Sequence, residues 1–381
     1  MDIVVHDSVT DISADQWNSM VLDNNPFLRH EFLAGLEVAR CVDPENGWKG
    51  SHIVIYQDIS REKLIAAMPC YIKSHSYGEY IFDWSWADAH HRHGLEYYPK
   101  LSNAVPFTPA TGERLLVAIE ERRDELEKAM IHAAVEICEQ RNMSSFHSLF
   151  TTREQAHRLS NYGCMTRHSS QFHWRNKQYK DFDDFLGLMN SKKRKNIKRE
   201  RRRVLETGIK YRWLSGQQLD QHSVDAMYRF YLTTIQRYGA QSYLNKNFFD
   251  YLANNFNDQT LFLFAEFKSQ TIAGGLYFKS DHTLYGRYWG SLDNFHSVHF
   301  ETCYYQAIEW CIKNGYQRFE AGAQGEHKLA RGLEPNTTYS AHWIAHEGFR
   351  NAIDDFLSSE QTHMNNYQEH MTNHSPFKTE I

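Results

Sequence analysis

The sequence lacks the short motifs that mark several large classes of enzyme. Its 381 residues contain no GxSxG nucleophile elbow and no phosphate-binding P-loop. They also contain no intact Q/RxxGxG/A loop of the kind that cradles the pyrophosphate of acetyl-CoA. Classical serine or cysteine hydrolase chemistry is therefore disfavoured, and the missing loop argues against acetyl-CoA as a substrate.

Cysteines and long apolar runs are also sparse. The six cysteines are scattered and form no CxxC pair, which argues against a disulfide framework and a zinc site. The histidine-containing stretches WADAHHRH and HSVHFE match no metal-binding spacing. No apolar run could span a bilayer, and the N-terminus lacks the basic and apolar regions of a secretory signal. We therefore expect a cytoplasmic protein with no membrane span and no metal site.

The overall charge is slightly negative. A formal net charge of -5 does not indicate a nucleic-acid-binding protein as a whole, so any affinity for a polyanion must come from a local patch. The chain is roughly twice the usual length of one domain, which predicts two domains. The aromatic content of 14% suits an aromatic-lined pocket as well as ordinary core filling.

The first half alternates between helical and strand-like patterns. Residues 13–39 are typical of helix with a break at Asn25-Pro26, and residues 52–57 and 64–73 are typical of a β-hairpin. We predict a third strand over residues 79–86, a helix over 124–141 and a strand over 145–150. Residues 86–117 hold three prolines and many aromatic residues. We assign them to a pocket wall, with a structural crossover as the alternative.

The second half repeats this order. Strands are predicted over residues 171–176, 209–214, 283–289 and 317–321, a hairpin over 260–267 and 271–279, and helices over 182–207, 219–236, 246–254 and 300–314. LIAAMPCYIKS parallels TIAGGLYFKS, and EYIFDWSW parallels LYGRYWGS. Four positions recur at one constant offset: Ala134 and Ala307, Glu136 and Glu309, Cys138 and Cys311, Phe146 and Phe319. The pattern predicts a duplicated α/β domain, and the alternative is a chance likeness of two amphipathic helices.

Positive charge is concentrated in the stretch SKKRKNIKRERRRV. Nine of the residues from 192 to 203 are Lys or Arg, and on a helix they would cover every face. This exceeds what a solvated surface needs, so the stretch predicts a site for phosphate in a nucleotide, a coenzyme or an RNA backbone. The alternative is an exposed basic helix that pairs with acidic neighbours.

A second polar stretch, EAGAQGEHKLARG, follows a predicted strand. Its glycines allow backbone N–H groups to approach a ligand closely. Glu326 and His327 could act as a general base and its orienting partner, and Lys328 and Arg331 could hold an anionic group. The stretch has neither Walker nor dinucleotide-binding spacing, so a structural loop with surface charges is the alternative.

Taken together, these stretches resemble the FemAB-like family of N-acyltransferases in the GNAT superfamily. The resemblance rests on NPFLRHEFLAGLE, GEYIFDWSWADA, YYPKL with VPFTPATGERLL, SKKRKNIKRERRRV, HFETCYYQAIEWCI and FEAGAQGEHKLARG, which are spread over most of the chain. It implies an α/β protein made of two tandem GNAT-like domains, with mixed, largely antiparallel sheets flanked by helices. The domains would be residues 1–165 and residues 166–381, the second carrying the basic helix.

The resemblance also implies an activity. The better-known FemAB relatives transfer amino acids from aminoacyl-tRNA to an amine of a peptidoglycan precursor, and simpler GNAT relatives use acyl-CoA. We therefore predict transfer of an acyl or aminoacyl group from one of these phosphate-bearing carriers to the amine of a small molecule or peptide. No tightly bound cofactor is expected, and a tRNA would bind through residues 192–203. The alternative is a non-catalytic RNA- or peptide-binding protein that keeps the transferase fold.

The predicted site residues fall into three groups. The first group serves the transfer itself, with Glu326 or His327 as the base and with Glu320 and Gln324 as positioning groups. The second group holds the substrate: Lys328 and Arg331 for an anionic group, and Asp83, Trp84, Trp86, Tyr98 and Lys100 on the acceptor side of a cleft between the domains. The third group steers the phosphate-bearing donor: Arg194, Lys195, Lys198 and Arg202.

Overall fold

A computed structural model of the protein describes residues 1–292, 297–322 and 325–378. These residues form two compact units. Unit 1 comprises Met1–Ser169 and Thr337–Asn366, and unit 2 comprises the described part of Ser170–Asn336 with residues 367–378. The division into folding domains between residues 165 and 166 stays a prediction.

Fifteen strands are assigned along the described residues. They are β1 (Asp2–His6), β2 (Trp48–Gly50), β3 (His52–Tyr56), β4 (Leu64–Met68), β5 (Cys70–Lys73), β6 (Lys100–Asn103), β7 (Leu116–Val117), β8 (Ser145–Thr151), β9 (Met165–Arg175), β10 (Lys210–Ser215), β11 (Thr260–Phe267), β12 (Gln270–Lys279), β13 (Thr283–Ser291), β14 (Arg318–Glu320) and β15 (Glu334–Ile344).

The helices of the described residues include one π-helical and several 3₁₀ turns. The α-helices are α1 (Ala14–Asn18), α2 (His30–Val38), α3 (Trp84–Arg92), α4 (Arg123–Gln140), α5 (Arg153–Asn161), α6 (Phe182–Gly187), α7 (Ser191–Glu206), α8 (Gln221–Arg237), α9 (Lys246–Asn255), α10 (Val298–Phe300), α11 (Gln306–Lys313) and α12 (Glu347–Asn373). A π-helical turn (Glu301–Tyr305) joins α10 to α11, and a 3₁₀ helix (Glu326–Arg331) follows β14. No helix in this part of the chain is long and apolar enough to cross a membrane.

Unit 1 contains an antiparallel sheet with the order β1-β3-β4-β7. A second set of strands runs β15-β8-β6-β5-β2, in which only the pair of β6 and β8 is parallel. Helix α4 packs on this unit's core because its apolar residues recur every fourth position, at Leu126, Met130, Ala134 and Cys138. These side chains are fully buried, together with Phe146 of β8.

Unit 2 contains strands in the order β10-β11-β12-β13-β14, with residues 173–175 of β9 paired to β14. All pairs are antiparallel except β13 with β14, which run parallel. Ala307, Cys311 and Phe319 lie in its core and are fully buried. The two units therefore repeat one order of elements. In unit 1, β5 pairs antiparallel with β6, and α4 then leads to β8, which runs parallel to β6. In unit 2, β12 pairs antiparallel with β13, and α11 then leads to β14, which runs parallel to β13.

The expected α/β class with mixed, largely antiparallel sheets and flanking helices is confirmed. The third strand predicted over residues 79–86 is wrong, because this stretch leads into α3 and the strand that pairs with β8 is β6. Hence β6, not EYIFDWSW, is the counterpart of β13. The predicted helix 182–207 is two helices, because the Asn190 side chain accepts a hydrogen bond from the Lys193 N–H and caps a new helix.

Candidate functional site

Helix α7 places the basic stretch on the wall of a groove in unit 2. Ile197 and Val204 are seven residues apart and buried, so they fix one face of the helix against the unit. The other faces carry the charges. An open groove of about 1230 Å³ lies beside them, lined by seven basic residues: Lys192, Arg194, Lys195, Lys198, Arg199, Arg201 and Arg202. All four residues predicted to bind donor phosphate are therefore together on this groove.

The positive charge of the groove is only partly neutralised. Asp183 lies 2.7 Å from Lys198, and Glu301 and Glu309 lie 3.1 and 2.6 Å from Arg201. The remaining lining cations are Lys192, Arg194, Lys195, Arg199 and Arg202. Among the described residues the first four have no ion-pair partner, and Arg202 has only an exposed contact of 4.0 Å with Glu206. The arrangement suits an anion with several charges.

A π-helical turn places a tyrosine against the predicted base. The turn widens the helix at Glu301–Tyr305, a feature common at functional sites. It brings the hydroxyl of Tyr304 to 2.8 Å from Nε2 of His327. Partial burial, with Arg331 and Lys328 nearby, lowers the pKa of His327 below its ordinary value. The imidazole is therefore neutral at pH 7 and able to accept a proton.

A second tyrosine of the turn belongs to a charge network. Tyr305 donates a hydrogen bond to the carboxylate of Glu200, which also lies 3.2 Å from the guanidinium of Arg331. Arg331 donates to the backbone carbonyl of His327 at 2.9 Å and stacks 3.4 Å over the ring of Phe300. Arg331 is thus engaged in holding the 3₁₀ helix against α7.

Lys328 is buried beside this network. Its side chain is 2% exposed, and its Nζ donates to the carbonyl of Gly322 at 2.7 Å. Burial lowers the pKa of Lys328 to about 8. His299 lies in the same region, with its ring centroid 6.2 Å from that of His327, and burial lowers the pKa of His299 to about 4. Lys328 is therefore poised to change charge just above neutral pH.

The other predicted transfer residues have different surroundings. Glu326 is exposed, and its carboxylate accepts a hydrogen bond from Tyr367 at 3.2 Å. Glu320 is buried on β14, where its carboxylate lies 3.2 Å from Nε of Arg318 and 3.9 Å from His173. Gln324 lies outside the described residues.

In unit 1 the structure brings Asp83 and Lys100 into a buried charged cluster. Nζ of Lys100 donates to Asp83 at 2.5 Å, to Glu79 at 2.7 Å and to Ser76 at 2.8 Å. Burial by itself would raise the pKa of Asp83, but the Lys100 ammonium holds it well below its usual range. Burial would lower the pKa of Lys100, but the carboxylates of Glu79 and Asp83 raise it. Both groups are therefore ionised at neutral pH.

The cluster continues as a chain of hydrogen bonds. Tyr97 donates to Asp83 at 2.6 Å, and its hydroxyl is 3.3 Å from Nε2 of His147. Nδ1 of His147 lies 2.6 Å from Nδ1 of His342, and Ser340 bonds the other nitrogen of His342 at 2.8 Å. Burial lowers the pKa of His147 well below its ordinary value and that of His342 to about 3, so both rings are neutral.

The remaining predicted acceptor residues have different surroundings. Trp86 is 4% exposed and packs edge-on against His342 at 5.0 Å between ring centroids. Trp84 is 41% exposed, and its ring centroid lies 4.9 Å from that of Tyr77. The hydroxyl of Tyr98 is 2.9 Å from that of Ser76, which bonds Lys100.

Sequence reasoning missed several members of these networks. Glu79 lies in the motif GEYIFDWSWADA, and Tyr304 lies in HFETCYYQAIEWCI. These motifs indicated the family but gave neither residue a role. Glu200 is a single acid in a basic helix, and His147 and His342 are single histidines in strands. No spacing signal marks such residues, because their partners come from distant parts of the chain.

Three solved structures share the fold at low sequence identity. The C-terminal domain (DUF2156) of a protein described as a lysylphosphatidylglycerol synthetase from Agrobacterium fabrum has a TM-score of 0.55 at 9% identity, covering 92% of this chain and 95% of that one. FemX has a TM-score of 0.55 at 9% identity, covering 93% and 100%. L-PGS from Bacillus licheniformis has a TM-score of 0.51 at 10% identity, covering 84% and 93%.

The family comparison covers nearly the whole chain. No curated protein matches the sequence significantly. The FemAB-like family, described as peptidoglycan biosynthesis/recognition, matches residues 8–379. The expected FemAB-like family agrees with this match, and the expected α/β fold agrees with the structural likenesses. The chain belongs to the FemAB-like family.

Proposed function

We propose that this protein transfers an acyl or aminoacyl group from a phosphate-bearing carrier to an amine. The family and the shared fold support an aminoacyl- or acyltransferase in general. The family description favours an amine on a peptidoglycan-related molecule as the acceptor. The carrier would be an aminoacyl-tRNA or an acyl-CoA.

The observation that carries the proposal is the basic groove of unit 2. Lys192, Arg194, Lys195 and Arg199 line it without an ion-pair partner among the described residues. Lys and Arg that line a groove are the usual ligands of phosphate groups, and releasing counterions from several phosphates makes such binding depend on salt. A carrier with several phosphates would neutralise these charges.

The chemistry of the transfer needs a deprotonated amine. His327 is neutral, and in the tautomer whose Nε2–H donates to the Tyr304 oxygen, Nδ1 keeps its lone pair. The amine attacks the acyl carbon, and its proton passes to Nδ1 of His327. The bond to the carrier then breaks, and the imidazolium returns the proton to the leaving oxygen or sulfur. Lys328 would hold a negative charge near His327.

The first experiment measures binding and turnover with two donors. Thermal unfolding is followed with acyl-CoA and with aminoacyl-tRNA, because a ligand that binds only the folded state raises the melting temperature. Affinity for the stabilising donor is then measured against salt for Arg194→Gln/Lys195→Gln. The matched control is Lys128→Gln/Arg141→Gln, which removes two exposed charges from unit 1.

The groove variant should bind about tenfold more weakly, with a slope of log affinity against log salt smaller by about 1.5. The control should match the unaltered protein. Equal affinity of all three proteins would contradict the groove as the donor site. Tight, salt-dependent RNA binding with no transfer to any amine would instead support the non-catalytic alternative.

A further inference from the structure

Four aromatic side chains of unit 2 lie beside the proposed base. The ring centroid of His327 is 5.7 Å from that of Tyr304, 5.9 Å from that of Phe300 and 6.2 Å from that of His299. His299 in turn lies 4.6 Å from the ring of Trp289 and 5.3 Å from that of Phe300. Rings at these distances are in contact, so the five side chains form one continuous group, which we call the ring cluster.

The ring cluster is assembled from four elements. Trp289 lies on β13, His299 and Phe300 belong to α10, Tyr304 to the π-helical turn and His327 to the 3₁₀ helix after β14. Tyr304 is 4% exposed, whereas Trp289, His299 and Phe300 are partly exposed and His327 is exposed. All five residues belong to unit 2. The cluster is therefore open to a ligand, and no residue of unit 1 is needed to form it.

The position of the base determines what meets these rings. An amine that gives its proton to Nδ1 of His327 must lie within about 3 Å of that atom. A Cβ at Gly325 would lie 2.9 Å from Nδ1, so the glycine leaves this edge of the imidazole free of a side chain. The group attached to the amine then extends over the next few ångströms, where the neighbouring rings lie. Partly exposed rings gain free energy when an apolar group covers them, so the cluster suits an apolar substituent.

Positive charge prevails at the ring cluster. Lys328 bonds an uncharged backbone carbonyl, and the counterion of Arg331 is Glu200. Burial lowers the pKa of His299 to about 4 and that of His327 below its ordinary value, and the charges of Arg331 and Lys328 lower both further. The same charges oppose any further cation that is placed beside these rings.

Aromatic rings can also attract a cation, because the face of the ring is electron-rich. In this cluster, however, the guanidinium of Arg331 already lies 3.4 Å over the ring of Phe300. Tyr304 is nearly buried and offers little free face. A ligand cation would therefore meet a cation that is already in place, and repulsion outweighs the attraction of the rings.

We propose that the ring cluster selects the acceptor, and that it takes a primary amine attached to an apolar, uncharged group in preference to one that carries a second positive charge. The amine binds in its neutral form beside Nδ1 of His327, with its substituent packed against the rings. The inference rests on the proposed function for the role of His327, and it names the class of amine. Trp289, His299 and Phe300 are then specificity-determining residues.

The test compares three amines that differ in the group beside one α-amine. L-phenylalaninamide carries an apolar ring, glycinamide has no side chain, and L-lysinamide carries a second ammonium. Calorimetric titrations at pH 7.5 keep Lys328 largely charged and the α-amines near their pKa. Phenylalaninamide should bind about tenfold more tightly than either of the others, because only its side chain is both apolar and uncharged.

The place of binding is read from the indole signal of Trp289. Protein labelled with ¹⁵N-tryptophan is titrated with phenylalaninamide, and Trp289→Phe identifies the signal by its loss. The Trp289 signal should move and saturate with the affinity that calorimetry gives, because the added ring lies close to the indole. Binding that leaves this signal in place would mean that the amine binds elsewhere, which would overturn the inference.

Variants separate packing from charge. Phe300→Ala should weaken phenylalaninamide binding about fivefold and leave glycinamide binding unchanged, because only the first amine packs on that ring. Lys328→Met should strengthen lysinamide binding about fivefold relative to phenylalaninamide, since one opposing charge is gone. Phe356→Ala removes an exposed ring of unit 1 and should bind all three amines as the unaltered protein does. Melting temperatures show which variants are folded, and the three amines compared on the unaltered protein require no variant.

Three further results would overturn the inference. Equal affinities for phenylalaninamide and glycinamide would mean that the rings do not contact the substituent, and tighter binding of lysinamide would mean that the cluster attracts cations. Transfer to all three amines at equal rates would contradict the inference while leaving the proposed function intact. Selective binding of phenylalaninamide without transfer from any donor would contradict the proposed function alone.

Discussion

The hydroxyl of Tyr304 lies 2.8 Å from Nε2 of His327 in unit 2. The π-helical turn supplies the tyrosine, and the 3₁₀ helix after β14 supplies the histidine. The contact fixes one nitrogen of a neutral imidazole and leaves the other for chemistry, which is how an orienting partner serves a general base. Because the carboxylate of Glu326 also accepts a hydrogen bond from a tyrosine, the choice of His327 as the base rests on its contact together with its lowered pKa, and that choice can be tested.

Replacing Tyr304 with Phe should lower kcat about tenfold and leave KM nearly unchanged, because the imidazole loses the partner that orients it. His327→Gln should lower kcat by about 10²-fold or more, the usual contribution of a general base. Steady-state kinetics of the transfer reaction measures both.

The matched control is Tyr367→Phe, which removes the hydroxyl that contacts Glu326. This variant should keep normal turnover. A large loss of kcat in Tyr367→Phe and in Glu326→Gln, with Tyr304→Phe unaffected, would identify Glu326 as the base instead.

The pH dependence of transfer should show an alkaline limb near pH 8. Lys328 is charged below its pKa of about 8 and neutral above it, so an anion held by its ammonium is released as the pH rises. On the acid side the rate should fall only below the ordinary pKa of histidine, because the pKa of His327 is lowered. Rates measured from pH 5 to 10 test both limbs.

Lys328→Met should lower the rate and abolish the alkaline limb of the pH profile, because methionine has no charge that could be lost as the pH rises. If the limb persists in this variant, another group titrates there. If the unaltered enzyme keeps its full rate at the alkaline end, a charged Lys328 is not required.

Glu200→Gln should destabilise unit 2. Arg331 is 8% exposed, and Glu200 is the carboxylate that pairs with its guanidinium. Loss of that charge leaves a nearly buried cation without its counterion, which we expect to cost about 1–3 kcal/mol in the free energy of unfolding. Urea unfolding measures the change.

Glu206→Gln in the same helix is the control. Its pair with Arg202 is exposed and 4.0 Å long, so the free energy of unfolding should change by less than about 0.5 kcal/mol. Equal effects of the two substitutions would mean that the Glu200–Arg331 pair contributes no more than a surface contact.

Gly290→Ala should prevent unit 2 from packing correctly. A Cβ at Gly290 would lie 1.8 Å from the backbone oxygen of Phe230 in α8, and backbone cannot move aside as a side chain can. We expect a loss of about 3 kcal/mol or more, or failure to fold.

Gly286 in the same strand is the comparison. A Cβ there would lie 3.3 Å from the Phe319 ring and 3.4 Å from the Tyr277 ring, so a small side-chain shift should accommodate it. Gly286→Ala should change the free energy of unfolding by less than about 1.5 kcal/mol. Similar stabilities of the two variants would contradict the close approach of α8 to β13.

The sequence predicted the elements whose signals are local. The α4–β8 and α11–β14 pairs were expected from apolar periodicity, and their cores contain the repeated positions Ala134, Phe146, Ala307 and Phe319. The basic helix was evident from its composition. The strand assigned to residues 79–86 failed because a run of aromatic residues resembles a strand, whereas here Asp83 precedes helix α3.

The candidate sites were only partly visible in the sequence. Composition marked the basic stretch and the polar stretch that holds His327, whereas Asp83 and Lys100 were predicted only after the family resemblance. It gave no sign of Tyr304 as the partner of His327 or of Glu200 as the partner of Arg331, because a hydrogen bond between residues far apart in the chain leaves no periodic pattern. For the same reason the sequence could not separate Glu326, which accepts a hydrogen bond from Tyr367, from His327, whose Nε2 lies against the hydroxyl of Tyr304.

By itself, the amino-acid sequence determined the α/β class, the repeated helix–strand order and the concentration of charge in one helix, because these depend on neighbours along the chain. Only the tertiary structure decided which charges remain unpaired on a groove, which histidine gains a tyrosine, and which aromatic rings lie beside that histidine. Those outcomes depend on burial and on distances of a few ångströms between segments that meet only when the chain folds.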